Sequence, residues 1–144
     1  MFNILRPLVF KFSPEVAHSL AIKALKLNNI SYSKPKESHI LETTFCNKIL
    51  PSPIGVAAGF DKNAEVYNPL LNLGFGFVEV GTITPKAQFG NAKPRVFRLE
   101  EDEALINRLG FNNSGSDEIC NRIKENVKKG FLGINIGPNK DSTN

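Results

Sequence analysis

The chain has 144 residues, of which 41% are hydrophobic and 22% are charged, a composition typical of a globular protein and not of a disordered one. No apolar run reaches the length of a transmembrane helix. Residues 1–40 carry six Lys/Arg and two Asp/Glu, whereas residues 41–144 carry twelve of each. The neutral body argues against nucleic-acid binding, and the basic leader suggests an anionic surface such as a membrane. Cys46 and Cys120 have no metal-like spacing and are interpreted as reduced thiols.

Residues 1–38 are predicted to form a helical leader and, over 28–38, a polar linker. The apolar spacing in residues 2–12 predicts a short helix in which Pro7 marks the first turn. A second helix begins at Ser13-Pro14-Glu15, where a hydroxyl cap precedes a proline and an acid. One side of that helix is lined by Val16, Leu20, Ala24 and Leu27. The two helices either lie in a membrane interface or pack on the domain, and the pattern leaves both interpretations open.

Residues 39–144 are predicted to form a parallel α/β body, after a short strand or hairpin over residues 41–50. The stretch Ile54–Asn63 is a short apolar run that ends in small and polar residues. The apolar run is typical of a strand buried on both faces. Ala58-Gly59 then removes side-chain bulk, as happens where a flat ligand or another backbone approaches. A plain strand-to-helix turn with a solvated Asp-Lys pair is the alternative interpretation.

The next residues repeat this pattern. A helix is predicted over 65–73, and a second buried strand over 75–80 leads into Gly81-Thr82-Ile83-Thr84-Pro85. Strand, helix and strand together predict a βαβ unit. A third unit follows with a helix over 117–129 and a strand over 131–136, in which Asn135 is a buried amide that needs a partner. In parallel α/β folds, ligands bind where such strands end.

Residues 86–106 are interpreted as an insertion. Strands over 95–99 and 105–106, joined by an acidic turn, predict an antiparallel flap beside the main sheet. The amide-rich segment 107–113 follows the flap. Amides hold carbonyl and ring N–H groups without adding charge. The alternative is an Asn-rich turn in which Asn113 or Ser114 caps the next helix.

Five motifs in this order and at this spacing strongly resemble the quinone-dependent (class 2) dihydroorotate dehydrogenases. The motifs are Ala57-Ala58-Gly59-Phe60-Asp61-Lys62, Gly81-Thr82-Ile83-Thr84-Pro85, Pro94-Arg95-Val96-Phe97-Arg98-Leu99, Ile106-Asn107-Arg108-Leu109-Gly110-Phe111-Asn112 and Gly133-Ile134-Asn135-Ile136-Gly137. The resemblance implies a TIM (β/α)8 barrel of the FMN-dependent type, incomplete here with about three of the barrel's strands, and preceded by the helical leader.

The resemblance also implies roles for individual residues. The expected FMN-binding residues are Ala58, Gly59, Phe60, Asp61, Lys62, Thr82 and Asn135. The expected substrate-binding residues are Lys62, Asn107, Arg108, Leu109, Gly110 and Phe111. His18 and Arg98 match family positions near a quinone tunnel formed by the leader, although a lone helical histidine is more often a packing or capping residue. The residues around positions 58–62, 82, 107–111 and 135 should converge on one side of a curved sheet.

The implied reaction is the oxidation of dihydroorotate to orotate in pyrimidine synthesis, with FMN as hydride acceptor and a membrane quinone as final acceptor. The implied location is peripheral, on the cytoplasmic side of the inner membrane if the protein is bacterial. The family usually has a lysine where this chain has Pro138, and the catalytic serine is expected beyond residue 144. Two alternatives stay open: a soluble relative of the same barrel family with another acceptor, or an inactive fragment with an unpaired sheet edge.

Overall fold

A computed structural model of the chain describes residues 2–27, 39–126 and 130–142. Two helices form the leader, α1 (Phe2–Phe10) and α2 (Pro14–Leu27). The predicted polar linker over 28–38 lies outside the described residues. Among the helices that are described, none is both long and apolar enough to cross a membrane.

The expected role of Pro7 in α1 is wrong. The helix already begins at Phe2, so Pro7 lies inside it and not in its first turn. A proline inside a helix removes one hydrogen bond to the carbonyl four residues earlier. Here that carbonyl belongs to residue 3, in the first turn of α1, so the helix loses one bond near its start and still continues to Phe10.

The body begins with small elements that match the predicted hairpin. A 3-10 turn over His39–Leu41 precedes the antiparallel strands β1 (Thr43–Phe45) and β2 (Lys48–Leu50). Cys46 and Asn47 connect them with positive φ angles of 48° and 57°, the backbone form that tight two-residue hairpins require.

The main sheet has three parallel strands in the order β3 (Gly55–Val56), β4 (Phe77–Ile83) and β7 (Phe131–Ile136). Strand β4 is longer than predicted, because its pairing with β7 resumes at Ile83 opposite Ile136 after an irregularity that follows Val80. The Gly81-Thr82 segment therefore belongs to the strand and not to the loop after it. The three strands have the same direction, so their carboxyl ends meet at one edge, as predicted.

Two helices, α3 (Tyr67–Asn72) and α4 (Ser116–Glu125), cover one face of this sheet. The buried core joins them to β4 through Tyr67, Leu70, Val78, Val80, Ile83, Ile119 and Ile123, with Ala64 and Val66. Helix α3 starts two residues later than predicted. Helix α4 ends at Glu125, since Asn126 is extended; residues 127–129 of the predicted helix lie outside the described part.

The predicted flap is present as the antiparallel pair β5 (Val96–Leu99) and β6 (Ala104–Asn107). The alternative of a side-chain cap on α4 is wrong, because Gly115 is the N-cap residue and has no side chain. Asn113 instead bonds the backbone just before the helix. Its side-chain oxygen accepts the N–H of Gly115 at 2.8 Å and the N–H of Thr84 at 3.3 Å. It joins the loop after β4 to the start of α4.

Candidate active site

The loop that follows β3 exposes its main chain at Gly59, which has no side chain. Gly59 has a φ of +108°, and a Cβ built there would meet nothing within 4 Å. Its N–H donates to the carbonyl of Gly81 at 2.8 Å, and the N–H of Gly81 donates to the carbonyl of Asp61 at 3.1 Å. These backbone hydrogen bonds hold the loop after β3 against strand β4, with open space over Gly59 that a flat group can approach.

The Asp61 carboxylate makes hydrogen bonds that stabilise the loop after β3. It is 1% exposed and accepts the N–H groups of Glu65 and Val66 at 2.7 and 2.8 Å. Burial raises the pKa of Asp61, and the hydrogen bonds from these backbone groups oppose the rise. This turn explains why α3 starts only at Tyr67. Both carboxylate oxygens are used in this turn, so the Asp61 side chain supports the loop.

Lys62 points its ammonium group back over the Gly59 backbone. The Nζ atom donates to the Gly59 carbonyl at 2.6 Å. Burial lowers the pKa of Lys62, and the nearby Arg95 lowers it further, whereas Glu15 and Asp61 act in the opposite direction. Lys62 is thus a partly buried cation beside the open space, able to meet an anionic group without crossing the site.

A chain of polar side chains crosses β4 and β7 on the face opposite the core. The Thr82 hydroxyl donates to Asn135 Oδ1 at 2.6 Å, and Asn135 Nδ2 donates to Glu79 Oε1 at 3.1 Å. The predicted partner of the buried amide is therefore present, and it includes an acid that the sequence analysis did not single out. The available signal was an acid in the otherwise apolar strand Phe77-Val78-Glu79-Val80.

A cavity of about 550 Å³ lies between α2, the loop after β3 and the flap. Eight of the predicted site residues line it: His18, Gly59, Phe60, Asp61, Lys62, Arg98, Asn107 and Leu109. Six others do not: Ala58, Thr82, Arg108, Gly110, Phe111 and Asn135. Thr82 and Asn135 lie on the sheet face opposite the core, near the carboxyl ends of β4 and β7, which we call the strand-end face. Gly59 connects this face to the cavity, because it lines the cavity and its N–H donates to the Gly81 carbonyl.

The segment after β6 is shaped by its backbone. Gly110 and Phe111 have positive φ angles of 75° and 52°, and the Gln88 amide donates to both of their carbonyls at 3.2 Å. The Asn107 side chain is exposed, and the one hydrogen bond that it makes to the described residues is a long 3.5 Å bond accepted from the Leu109 N–H. Arg108 turns away, donating to the Pro94 carbonyl at 3.2 Å. Asn107 is consequently the residue of this segment whose side chain is most available at the cavity.

His18 and Arg98 bind the leader to the body. His18 Nε2 lies 2.7 Å from the Phe60 carbonyl, and because a carbonyl only accepts, this nitrogen carries the hydrogen. The His18 ring also stands edge-on to the Phe60 ring at 5.3 Å. Arg98 donates to the carbonyls of Phe10 and Phe12 at 3.3 and 2.8 Å. Both residues keep side-chain surface in the cavity wall.

Arg95 is a further residue that the sequence analysis did not single out. It is 6% exposed, and its Nε and Nη2 atoms donate to one oxygen of Glu15 at 3.1 and 2.9 Å. Its Nη1 atom donates to the carbonyls of Phe89, Asn91 and Leu109 at 2.6, 3.0 and 3.5 Å. Burial alone would raise the pKa of Glu15, but Arg95 and the neighbouring lysines outweigh it and lower that pKa. Arg95 therefore connects the leader, the flap and the segment after β6.

These features place the chain among the parallel α/β proteins, a class in which ligands bind at the carboxyl ends of the strands. The model of the family described as "Dihydroorotate dehydrogenase" matches residues 40–144. The chain belongs to the dihydroorotate dehydrogenase family.

Named relatives agree with this assignment. The chain is 50% identical over 143 residues to dihydroorotate dehydrogenase (quinone) of Erythrobacter litoralis, covering 99% of this chain and 41% of the relative. It is 51% identical over 134 residues to the protein of the same name from Agrobacterium fabrum, covering 93% of this chain and 37% of that protein. The crystal structure of DHODH in complex with ferulenol from Eimeria tenella is similar with a TM-score of 0.83 and 42% identity, over 92% of this chain and 38% of that one. The chain thus spans about two fifths of the length of these relatives.

Proposed function

We propose that the chain supplies the leader and the first barrel strands of a quinone-dependent dihydroorotate dehydrogenase, with residues 1–38 as the leader and linker and 39–144 as the N-terminal part of the FMN-binding barrel. The observation that carries the proposal is the 50% identity over 99% of the chain to a relative of that name. The substrate pair is dihydroorotate and orotate, in pyrimidine synthesis. Residues beyond this segment complete the barrel, which needs about 250 residues, and contribute the catalytic serine.

The strand-end face fits a flat cofactor with polar edges. Gly59 leaves open space over its backbone, and Thr82 and Asn135 place a hydroxyl and an amide beside it. Both side chains can bond a ring that carries carbonyl and N–H groups. We assign these residues, with Ala58, Phe60 and the backbone of Asp61, to FMN. When bound, FMN supplies the hydride-accepting chemistry.

The substrate is an anion, and we assign to it one cation and one amide among the residues that line the cavity. Lys62 meets the carboxylate of dihydroorotate as a point charge, and its lowered pKa reflects the burial that excludes competing water. The Asn107 side chain, which accepts a long 3.5 Å bond from the Leu109 N–H, both donates to and accepts from the pyrimidine ring. The backbone of Arg108, Leu109, Gly110 and Phe111 forms the rest of this wall.

The quinone half of the reaction is assigned to the cavity under α2. His18 and Arg98 line that cavity and join the leader to the body, His18 through the Phe60 carbonyl and Arg98 through the Phe12 carbonyl. The opposite side of α2 exposes Val16 at 47%, Leu20 at 45% and Leu27 at 87%. An apolar stripe on a basic leader suits a peripheral position on a membrane surface, from which a quinone can enter. This favours the quinone-linked enzyme over a soluble relative with another acceptor.

The substitution Lys62→Ala in the full-length protein tests the substrate assignment. Loss of a charged contact to the substrate is expected to lower kcat/KM for dihydroorotate by about ten- to a hundredfold. Steady-state dye reduction measures the effect. Lys86→Ala is the matched control, since Lys86 follows β4 as Lys62 follows β3 and is exposed; it should leave kcat/KM unchanged. Near-normal turnover by a folded, flavin-loaded Lys62→Ala protein would remove Lys62 from the site.

A further inference from the structure

Glu79 lies inside a strand, with no obvious structural reason for a charge there. It is half-buried on the face of β4 opposite the core. Its register partner on β7 is Gly133, where a built Cβ would lie 3.4 Å from Glu79 Cγ. Within the described part of the chain, Glu79 forms no ion pair, and the one hydrogen bond recorded for its carboxylate comes from Asn135. The carboxylate therefore acts on one neighbour, the Asn135 amide.

The chemistry of this contact determines which way the amide points. A carboxylate only accepts hydrogen bonds, so Asn135 must turn its NH₂ group toward Glu79. The amide oxygen then faces Thr82 and receives the only hydrogen that the Thr82 hydroxyl has, at 2.6 Å. What remains for a ligand is an acceptor on Thr82 and the second N–H of Asn135. Without the carboxylate, the amide could turn over and exchange these roles.

We infer that Glu79 is a positioning residue that fixes the order of donor and acceptor presented by Asn135 and Thr82 to the cofactor. This rests on the proposed function, in which these two side chains bond FMN. An oxidised flavin ring carries one N–H between two carbonyl groups, so it is read by an acceptor next to a donor. Glu79 sets that pattern without touching the ring itself.

The first test measures FMN binding to deflavinated full-length protein by quenching of flavin fluorescence. Glu79→Met keeps the length of the side chain and removes the acceptor, and is expected to weaken FMN binding about tenfold, the equivalent of one hydrogen bond to a charged group. Glu79→Gln keeps an oxygen that can accept from Asn135 and is expected to weaken binding less than Glu79→Met does. Glu118→Met, at an exposed carboxylate on α4, is the control and should bind like the unmodified protein.

A double-mutant cycle separates positioning from general structural support. In the described part of the chain, Asn135 is the residue that bonds both the Glu79 carboxylate and the Thr82 hydroxyl. Because Glu79 is inferred to act by orienting the Asn135 amide, Glu79→Met/Asn135→Ala should bind FMN no more weakly than Asn135→Ala alone, within about twofold. Additive losses, or a Glu79→Met protein that binds within about twofold of the unmodified one, would overturn the inference.

Two controls separate the role of Glu79 from a failure to fold and from a failure of the proposed function. Circular dichroism checks that each apoprotein folds, and if Glu79→Met does not, Glu79→Ala, which leaves room for water, replaces it in the cycle. An unmodified full-length protein that fails to bind FMN contradicts the proposed function. An unmodified protein that binds FMN, together with additive variants, contradicts only the role of Glu79.

Discussion

The leader and the three-stranded unit are held in different ways. The unit of β3, β4 and β7 with α3 and α4 is joined by buried apolar side chains such as Val78, Val80 and Ile119, each 0% exposed. The leader contacts the body largely through polar groups. Arg95 binds Glu15, His18 meets the Phe60 carbonyl, and Lys26 pairs with Glu65.

The membrane-facing position that we propose for α2 accounts for this difference. A helix that buried its apolar stripe in the body would have no apolar surface left for a membrane. Helix α2 instead turns Glu15, His18 and the half-buried Ile22 and Leu25 inward and leaves its more exposed stripe outside. Directional polar contacts fix the orientation of the helix, whereas apolar burial supplies most of the stability of the unit. The leader should therefore loosen under changes that leave the body folded, and the reverse should also hold.

The largest effect is expected in the core. Ile119→Ala removes a fully buried side chain between α4 and β4 and should lower the free energy of unfolding by about 3 kcal/mol, within the usual range for such cavities. Urea unfolding of the full-length protein measures this. Ile40→Ala, at a side chain 91% exposed, should cost less than about 0.5 kcal/mol. Under native conditions the leader of Ile119→Ala should resist chymotrypsin as before; a newly sensitive leader would show that the two regions are not separate.

Local patterns in the sequence predicted the body well. The apolar runs and glycine stops placed β4, β7, α3 and α4 within a few residues, and the turn residues placed the flap. What they missed depends on contacts far apart in sequence. The Arg95–Glu15 pair spans 80 positions, and no local signal tells a solvated arginine from a buried one. The end of β4 was missed because Gly81-Thr82 has loop chemistry, and only the pairing of Ile83 with Ile136 continues the strand.

Arg95→Lys tests the polar attachment of the leader, with an effect of intermediate size. Lysine keeps the charge but cannot reproduce the planar fork that holds Glu15 and three carbonyls together. The free energy that holds the leader on the body should fall by about 2 kcal/mol, because lysine replaces only part of the hydrogen bonds that Arg95 makes. Limited chymotrypsin digestion should cut the leader faster, and quinone reduction should fall more than dye reduction, because the cavity under α2 loses its shape.

Lys11→Arg is a control for that experiment, since Lys11 is an exposed leader residue and the exchange keeps its charge. Equal losses of quinone and dye reduction in Arg95→Lys would show instead that Arg95 supports the whole site and not the leader in particular.

The smallest effect is a dependence of stability on pH that comes from Glu15. Its pKa is lowered from an ordinary value of 4.5 in the folded protein. Its contribution is therefore complete above pH 4.5 and is lost as the pH falls through the lower, folded value. Asp61, whose pKa is raised by burial, gives the opposite trend, since its burial costs stability only once the pH is high enough to ionise it.

Comparison of the unmodified protein with Glu15→Gln isolates the first trend, because Asp61 is common to both and cancels. The difference between their urea midpoints should correspond to less than about 1 kcal/mol at neutral pH, as for a partly exposed ion pair, and should shrink toward zero on acidification below pH 4.5. A Glu15→Gln difference that stays constant with pH would mean that the guanidinium of Arg95 holds the leader through its bonds to carbonyls alone, and that the charge on Glu15 adds nothing to the attachment.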